Sequence, residues 1–363
     1  MRGKVYKKGK INILELSGNY RQMGREYGRL FKDNLKAFYD VIINEHFIKE
    51  LDLTYELIKE ITGVLHNLYP KRFKEIFSGM AETSGMDLEK IIILDHAFVI
   101  HFVIEEDVTG CSAIACWKEY TGGGPLVFGR NFDYPELYKK FGDFVTLLVI
   151  KPDDGSIPTA SFGHTGQISV NTAMNRSGIF LANNEAVASG GTTFRPDISH
   201  ALMNELAFLL DCSDMNSFDA AIRKTQSNGP VIANMADKEA AYSYEWPPFG
   251  VRCRKADRDG LLVSTNHYID PSWGIPEPIS DVSERTLTRR KNLLKLGEKY
   301  KGNFNREIMK NILDMPIAEG GATHLDKTIY QVVAVPEDLT LDIKIPDFQD
   351  WVKVDLKAYF GGR

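Results

Sequence analysis

Between Asn19 and Glu50 the apolar residues fall at Met23, Tyr27, Leu30, Phe31, Leu35, Phe38, Val41 and Ile42. This spacing is close to the helical period and predicts an amphipathic helix. A short strand, Ile11 to Leu16, precedes it, with Gly18-Asn19-Tyr20 as turn and cap. Similar patterns predict helices over 54–69, 70–84 and 87–104, the last two parted by Gly85. From Cys111 the pattern shortens to period 2. Cys111 to Tyr120 reads as a strand, Gly122-Gly123-Gly124 as a turn and Leu126 to Phe132 as the return strand. Further strands are predicted at 144–151, 159–162, 168–174 and 178–183, helices at 197–211 and 215–226, and strands at 231–245 and 260–265. Helices follow at 283–300 and 305–314, and strands at 328–335, 339–344 and 351–356. Blocks of strands and blocks of helices, rather than alternating units, predict an α+β fold of antiparallel sheets covered by helices. The change near 105–111 is the one strong boundary. It divides a mainly helical segment, 1–110, from the body of the chain, 111–363.

Composition narrows the class. A chain of 363 residues with 43% hydrophobic and 26% charged residues reads as a soluble globular protein with ample core. Its formal charge of -5 argues against a nucleic-acid partner. No run reaches the roughly 18 apolar residues of a membrane span. The richest stretch, Ile91 to Ile104, is interrupted by Asp95, His96 and His101, which favours a buried helix. The basic start, Met1 to Lys8, is not followed by the apolar segment of a leader, so a cytoplasmic setting is expected. Four scattered cysteines (Cys111, Cys116, Cys212, Cys253) suit free thiols rather than a disulfide scaffold. No histidine, cysteine or carboxylate cluster has ligand spacing, so neither metal nor cofactor is expected.

The chemistry concentrates at Thr109-Gly110-Cys111-Ser112-Ala113 and, on the returning strand, Gly129-Arg130-Asn131-Phe132-Asp133-Tyr134. A cysteine attacks carbonyls as the thiolate, and a nearby arginine favours that anion. Arg130 lies on the strand paired with the one that begins at Cys111, so the two can meet across a hairpin. Asp133, three positions on, falls on the opposite strand face unless a bulge brings it back. Cleavage of the chain before Cys111 would give one residue both a thiol and a free α-amine, which is nucleophile and base together. Gly110 leaves room for the thiol to approach its own carbonyl. Asn183-Asn184-Glu185 and Thr265-Asn266-His267 each follow a predicted strand and offer donors for a developing oxyanion.

These segments resemble the choloylglycine hydrolase and penicillin acyltransferase branch of the N-terminal-nucleophile hydrolases. The resemblance runs from Leu16-Ser17-Gly18-Asn19-Tyr20-Arg21-Gln22-Met23-Gly24-Arg25-Glu26-Tyr27-Gly28 through the two segments above. It continues through Gly163-His164-Thr165-Gly166, Met174-Asn175-Arg176-Ser177-Gly178, Ser264-Thr265-Asn266-His267 and Ser283-Glu284-Arg285. It implies a four-layer αββα sandwich, cleavage at Gly110-Cys111, and attack by Cys111 on a small-molecule N-acyl amide. It implies further that Arg130 and Asp133 flank the thiol, that Asn184 and Asn266 support the oxyanion, and that Arg285 completes the network, with Arg289 one helical turn on. Residues 1–110 would stay bound as a subunit. Phe132, Tyr134, His164 and Asn183 are expected around the substrate. Whether the enzyme hydrolyses or transfers the acyl group, and whether it forms a homo-oligomer, is left open at this point.

Two other readings compete. A papain-like site would pair a cysteine with His164 or His267, but it leaves Arg130 and Asp133 without a role. A binding protein on the same fold would have lost its activity, against which stands the complete set Cys111, Arg130, Asp133, Asn184 and Asn266.

Overall fold

A computed structural model describes residues 3–104, 110–189, 194–278 and 282–361. The strands are β1 (Gly3–Lys8), β2 (Ile11–Gly18), β3 (Ser112–Cys116), β4 (Val127–Asp133), β5 (Val145–Pro152), β6 (Thr159–His164), β7 (Thr172–Asn175), β8 (Phe180–Glu185), β9 (Val231–Ala236), β10 (Ala241–Trp246), β11 (Arg252–Arg254), β12 (Leu261–Ser264), β13 (Thr328–Val335), β14 (Thr340–Ile345) and β15 (Gln349–Asp355). They form two sheets. One runs β1-β2-β5-β6-β7-β8-β9-β10-β11 and the other β12-β3-β4-β13-β14-β15. Every pairing is antiparallel except β2 with β5.

The helices are α1 (Tyr20–Leu30), α2 (Lys32–Tyr39) with a π-helical continuation (Asp40–Glu50), α3 (Tyr55–Asn67), α4 (Lys71–Ser84), α5 (Leu88–Asp95), α6 (Ala97–Ile104), α7 (Ala201–Asp211), α8 (Met215–Ile222), α9 (Val282–Lys299), α10 (Arg306–Asp314) and α11 (Lys357–Phe360). The two sheets meet face to face, with Phe128 of β4 against Phe180 of β8 and Phe162 of β6 against Tyr330 of β13. Outside the first sheet, Phe208 of α7 and Phe218 of α8 pack on Trp246 and Tyr244 of β10. Outside the second, Leu293 and Leu296 of α9 and Met309, Ile312 and Leu313 of α10 share a core with Ile114, Val127, Leu261 and Val333. Alternating faces of both sheets are thus covered, giving the αββα layers expected from the sequence. Gly129 on β4 is required by this packing, because a Cβ there would lie 2.5 Å from Met309 Sδ. Among the described residues no helix is long and apolar enough to cross a membrane.

Several boundaries differ from the sequence reading. The helix expected over 19–50 breaks at Phe31, and the one over 87–104 breaks at His96. The strand expected over 111–120 ends at Cys116 and turns through Lys118–Thr121. Of the strand expected over 168–174 only Thr172 onward pairs, because the backbone before it forms a loop held by side chains. β1 and β11 carry no clear alternation and were not anticipated. The first 104 residues also supply two strands of the larger sheet, since β2 lies in register beside β5 from Asn12↔Thr146 to Gly18↔Pro152. Gly24 of α1 and Gly79 of α4 let those two helices touch backbone to backbone. A Cβ at Gly24 would sit 2.0 Å from Ile76 O.

Candidate active site

Strand register explains why Cys111 meets Arg130. Ala113 of β3 lies directly opposite Arg130 of β4, and Cys111, two residues before Ala113, projects from the same face. Cys111 is buried at 3% exposure, and Arg130 Nη2 lies 3.6 Å from its Sγ. The guanidinium is wholly buried between the sheets. Nη1 donates to Asn171 O and to Thr172 Oγ1 at 2.7 Å and Nη2 also to Asn183 O at 2.5 Å, all from the opposite sheet or the loop leading into it, while Nε has no hydrogen-bond partner. Phe132 and Tyr330 face its plane at 5.0 and 5.9 Å. Burial pushes the Cys111 thiol up, Arg130 pulls it down, and the Asp133 and Glu185 carboxyls oppose that pull.

Asp133 ends β4, as the alternation demands, on the other face of the sheet. A register shift lies opposite it, where Thr328 pairs with Asp133 and Tyr330 with Phe132. The extra residue is therefore on β13 rather than on the strand carrying the aspartate. The carbonyl of Asp133 accepts from Gly110 N at 3.4 Å and lies 3.9 Å from Cys111 Sγ. Its carboxyl is fully buried. Oδ1 accepts from Thr328 Oγ1 at 2.6 Å, while Oδ2 has no hydrogen-bond partner. Burial raises this carboxyl, against the pull of His324, Arg289, Thr328 and Arg130.

The arginine that reaches this network from α9 is Arg289. It is wholly buried, and it donates through Nη1 to Cys111 O at 2.6 Å and through Nη2 to Asn266 Oδ1 at 2.7 Å. Arg285, the residue taken from the resemblance, is exposed. The side chains of Ser283 and Glu284 and the whole of Thr109 lie outside the described residues. A helical signal was present: Thr286, Arg289, Leu293 and Leu296 form one buried stripe, and an arginine on such a stripe is there for a partner.

The paired asparagines divide by strand alternation. Asn183 lines the cavity beside Cys111, and its Nδ2 donates to Glu205 Oε2 of α7 at 2.8 Å. Asn184 points the other way and donates to Thr265 O at 3.1 Å and Ser264 O at 3.4 Å, while its buried Oδ1 has no partner. Asn266 donates to Glu185 O at 2.7 Å. Both amide groups expected to serve an oxyanion hold main-chain carbonyls. Glu205, which the sequence did not single out, is wholly buried and pushed up to about 8 by that burial.

The cavity at Cys111 is walled by Phe98, Val99, Phe132, Tyr134, Phe194 and Leu202, with Asn171, Asn183, Glu185 and His200 as polar points. Phe98 and Val99 come from α6, so the N-terminal segment forms part of the wall. His164 stands behind it, stacked on Phe38 at 5.5 Å and tilted against Phe98 at 4.8 Å. Neither of its ring nitrogens has a hydrogen-bond partner, and burial lowers it to about 3. His267 lies 2.8 Å from Thr286 Oγ1. Among the described residues no histidine is hydrogen-bonded to the Cys111 thiol, so the geometry gives the papain-like pairing no support.

No protein-family model matches the chain. Over 218 residues it is 24% identical to the acyl-coenzyme A:6-aminopenicillanic-acid-acyltransferase 40 kDa form of Emericella nidulans, a match covering 59% of this chain. The chain spans about half the length of this curated relative (56%). This relative bears out the resemblance to the acyltransferase branch of the N-terminal-nucleophile hydrolases. Among solved structures, the Caenorhabditis elegans N-acylethanolamine-hydrolyzing acid amidase ortholog aligns with a TM-score of 0.44 at 19% identity, over 65% of this chain and 94% of its own. A variant of conjugated bile acid hydrolase from Clostridium perfringens aligns at 0.46 and 12% identity, over 69% of this chain and 95% of its own.

Proposed function

We propose that this chain is a self-processing cysteine amidase or acyltransferase, with Cys111 as nucleophile on a linear, non-peptide N-acyl amide. The observation that carries this reading is the Arg130 guanidinium 3.6 Å from a buried thiol, with a half-partnered Asp133 carboxyl near enough to act on that thiol electrostatically. In the first step the Cys111 thiolate adds to the Gly110 carbonyl carbon. The Gly110–Cys111 C–N bond breaks, and the nitrogen takes up a proton, leaving a thioester. Water hydrolyses it to the Gly110 carboxylate and a Cys111 with free thiol and free α-amine. An α-amine titrates near about 7.7–8.0, suited to a general base at neutral pH. The open oxygen of Asp133 would accept from its ammonium form.

Turnover repeats the chemistry on a substrate. The thiolate attacks the amide carbonyl, the amine leaves with a proton from the α-ammonium, and the thioester passes its acyl group to water or to another amine. Asn266 would donate to the oxyanion once released from Glu185 O, whereas Asn184, expected to share that role, lies on the strand face turned away from Cys111. Arg289 takes the place first assigned to Arg285 in holding Cys111 and Asn266. The aromatic cavity walls suit an apolar acyl group, and the amine half is open. The acyltransferase named in the E. nidulans relative points the same way.

Intact-mass measurement and N-terminal sequencing test the reading. Processed protein should yield two pieces split after residue 110, the second beginning Cys-Ser-Ala-Ile. Cys111→Ala should remain a single chain and hydrolyse nothing in a panel of N-acyl amides scored by released amine. An intact chain that turns over such amides with Cys111 replaced would overturn the assignment.

A further inference from the structure

Asp95, at the end of α5, is a buried carboxylate (1% exposed) that no step above uses. Its Oδ1 accepts from Ile168 N at 2.6 Å and Ser169 N at 2.8 Å, and its Oδ2 lies 2.9 Å from Tyr69 Oη. Close by, Gly166 N donates to Tyr27 Oη of α1 at 2.7 Å. Three residues of one loop, 166, 168 and 169, are therefore tied to the N-terminal segment by side chains. Buried main-chain N–H groups need acceptors, and here the sheet supplies none. The loop ends at Asn171 and Thr172. Asn171 O and Thr172 Oγ1 receive Arg130 Nη1, while Asn171 O also accepts from Asn183 N at 2.9 Å. Asp95 is thus joined to the guanidinium that faces the thiol by hydrogen bonds at 168–169 and at 171–172, with the short main chain between them as the link.

We propose that Asp95, with Tyr27 beside it, positions the Cys111 site from across the cleavage point: fixing the 166–171 loop fixes the acceptors that aim Arg130 at the thiol. The inference rests on Cys111 being the nucleophile but not on any particular substrate. Its consequence is that residues 1–104 complete the site. The charged or titratable groups near enough to act on the thiol or be acted on by it are Arg130, Glu185, the Tyr330 hydroxyl and, from the other face of the sheet, Asp133. Only Arg130 both favours the thiolate and takes its position from this loop.

The test reads Cys111 directly. Full-length protein is alkylated with iodoacetamide across pH 5–10, and modification is quantified peptide by peptide, with half-buried Cys253 as internal control. Folding of each variant is verified by near-UV circular dichroism. Asp95→Asn keeps the shape but offers the two loop amides a neutral amide oxygen, a weaker acceptor than a carboxylate. It should raise the pH midpoint of Cys111 alkylation by about one unit, which is about tenfold slower reaction at pH 7, and leave Cys253 unchanged. Tyr27→Phe frees only Gly166 N and should move the midpoint in the same direction by less. A purely structural role would lower the melting temperature of both variants without moving the midpoint, and that result overturns the proposal. If Asp95→Asn does not fold, an unmoved midpoint in folded Tyr27→Phe overturns it equally. A wild-type Cys111 that resists alkylation at every pH sinks the nucleophile reading and this proposal with it.

Discussion

Arg289 Nη1 donates to the carbonyl oxygen of Cys111 at 2.6 Å, while Arg130 Nη2 lies 3.6 Å from the sulfur of the same residue. Cys111 is therefore gripped twice: Arg130 lies against its sulfur and Arg289 holds its main chain. Removing Arg289 leaves Cys111 O and Asn266 Oδ1 buried without this donor, at about 1–3 kcal/mol for each. Arg289→Ala should thus be both less stable in urea and strongly impaired in processing. Arg285→Ala, at an exposed position, should stay within about 0.5 kcal/mol of the parent and process normally. Equal losses in the two variants, measured by urea unfolding and by the fraction of cut chain, would return the role to Arg285.

Glu205 predicts a pH dependence of stability with a definite sign. Its carboxyl titrates at about 8 in the folded chain against an ordinary value of 4.5. Between these values the folded state holds a proton that the unfolded state has lost, so this group's contribution falls as pH rises. For one proton the slope is about 1.4 kcal/mol per pH unit. Glu205→Gln keeps an acceptor for Asn183 Nδ2 and cannot titrate. Its stability should gain on the parent progressively from pH 5 to pH 8. Parallel stability curves for the two proteins would show that Glu205 is ionised throughout.

Much of this was legible in the sequence, and the reasons for the remainder are physical. β3, β4, β5 and β13 were legible as short, largely apolar runs bounded by turn residues, as suits strands buried on both faces. β1 was missed because Val5 and Tyr6 are both exposed on an edge strand. Cys111, Arg130 and Asp133 could be named because they are close in sequence and joined by one hairpin. Glu205, Thr172 and Asp95 could not, since each reaches the site through a tertiary contact between distant elements. Asn183 and Asn184 illustrate the boundary between the two cases. Alternation guarantees that only one of them faces Cys111, but deciding which required the register of β8 against β9, where Asn183 pairs with Ala233.

His164 offers a test that separates the competing readings of the thiol. Its ring is stacked among Phe38, Phe98 and Tyr138, and both nitrogens lack partners. Its folded-state value of about 3 lies below an ordinary 6.5, so the neutral ring's contribution is present above 6.5 and is lost as pH falls toward 3. His164→Phe preserves the stacking and removes the titration. The variant should melt higher than the parent at pH 5, with the difference shrinking above pH 7, and it should process and turn over as the parent does. Loss of turnover with the fold intact would revive a cysteine–histidine pair.

The last prediction concerns the first 110 residues after cleavage. β2 lies between β1 and β5 within the larger sheet, and α6 places Phe98 and Val99 in the wall of the cavity. Removing the segment would bare the β5 edge along Val145–Pro152 and the apolar surface under α1, α4 and α6, a surface prone to pairing with other chains. The two cut pieces should therefore co-elute on gel filtration at the size of the uncut chain and separate only in denaturant. Residues 111–363 expressed alone should be insoluble. If that fragment proved soluble, monomeric and fully active, the segment would be a disposable leader, and the strands it adds to the sheet would have no part in the working enzyme.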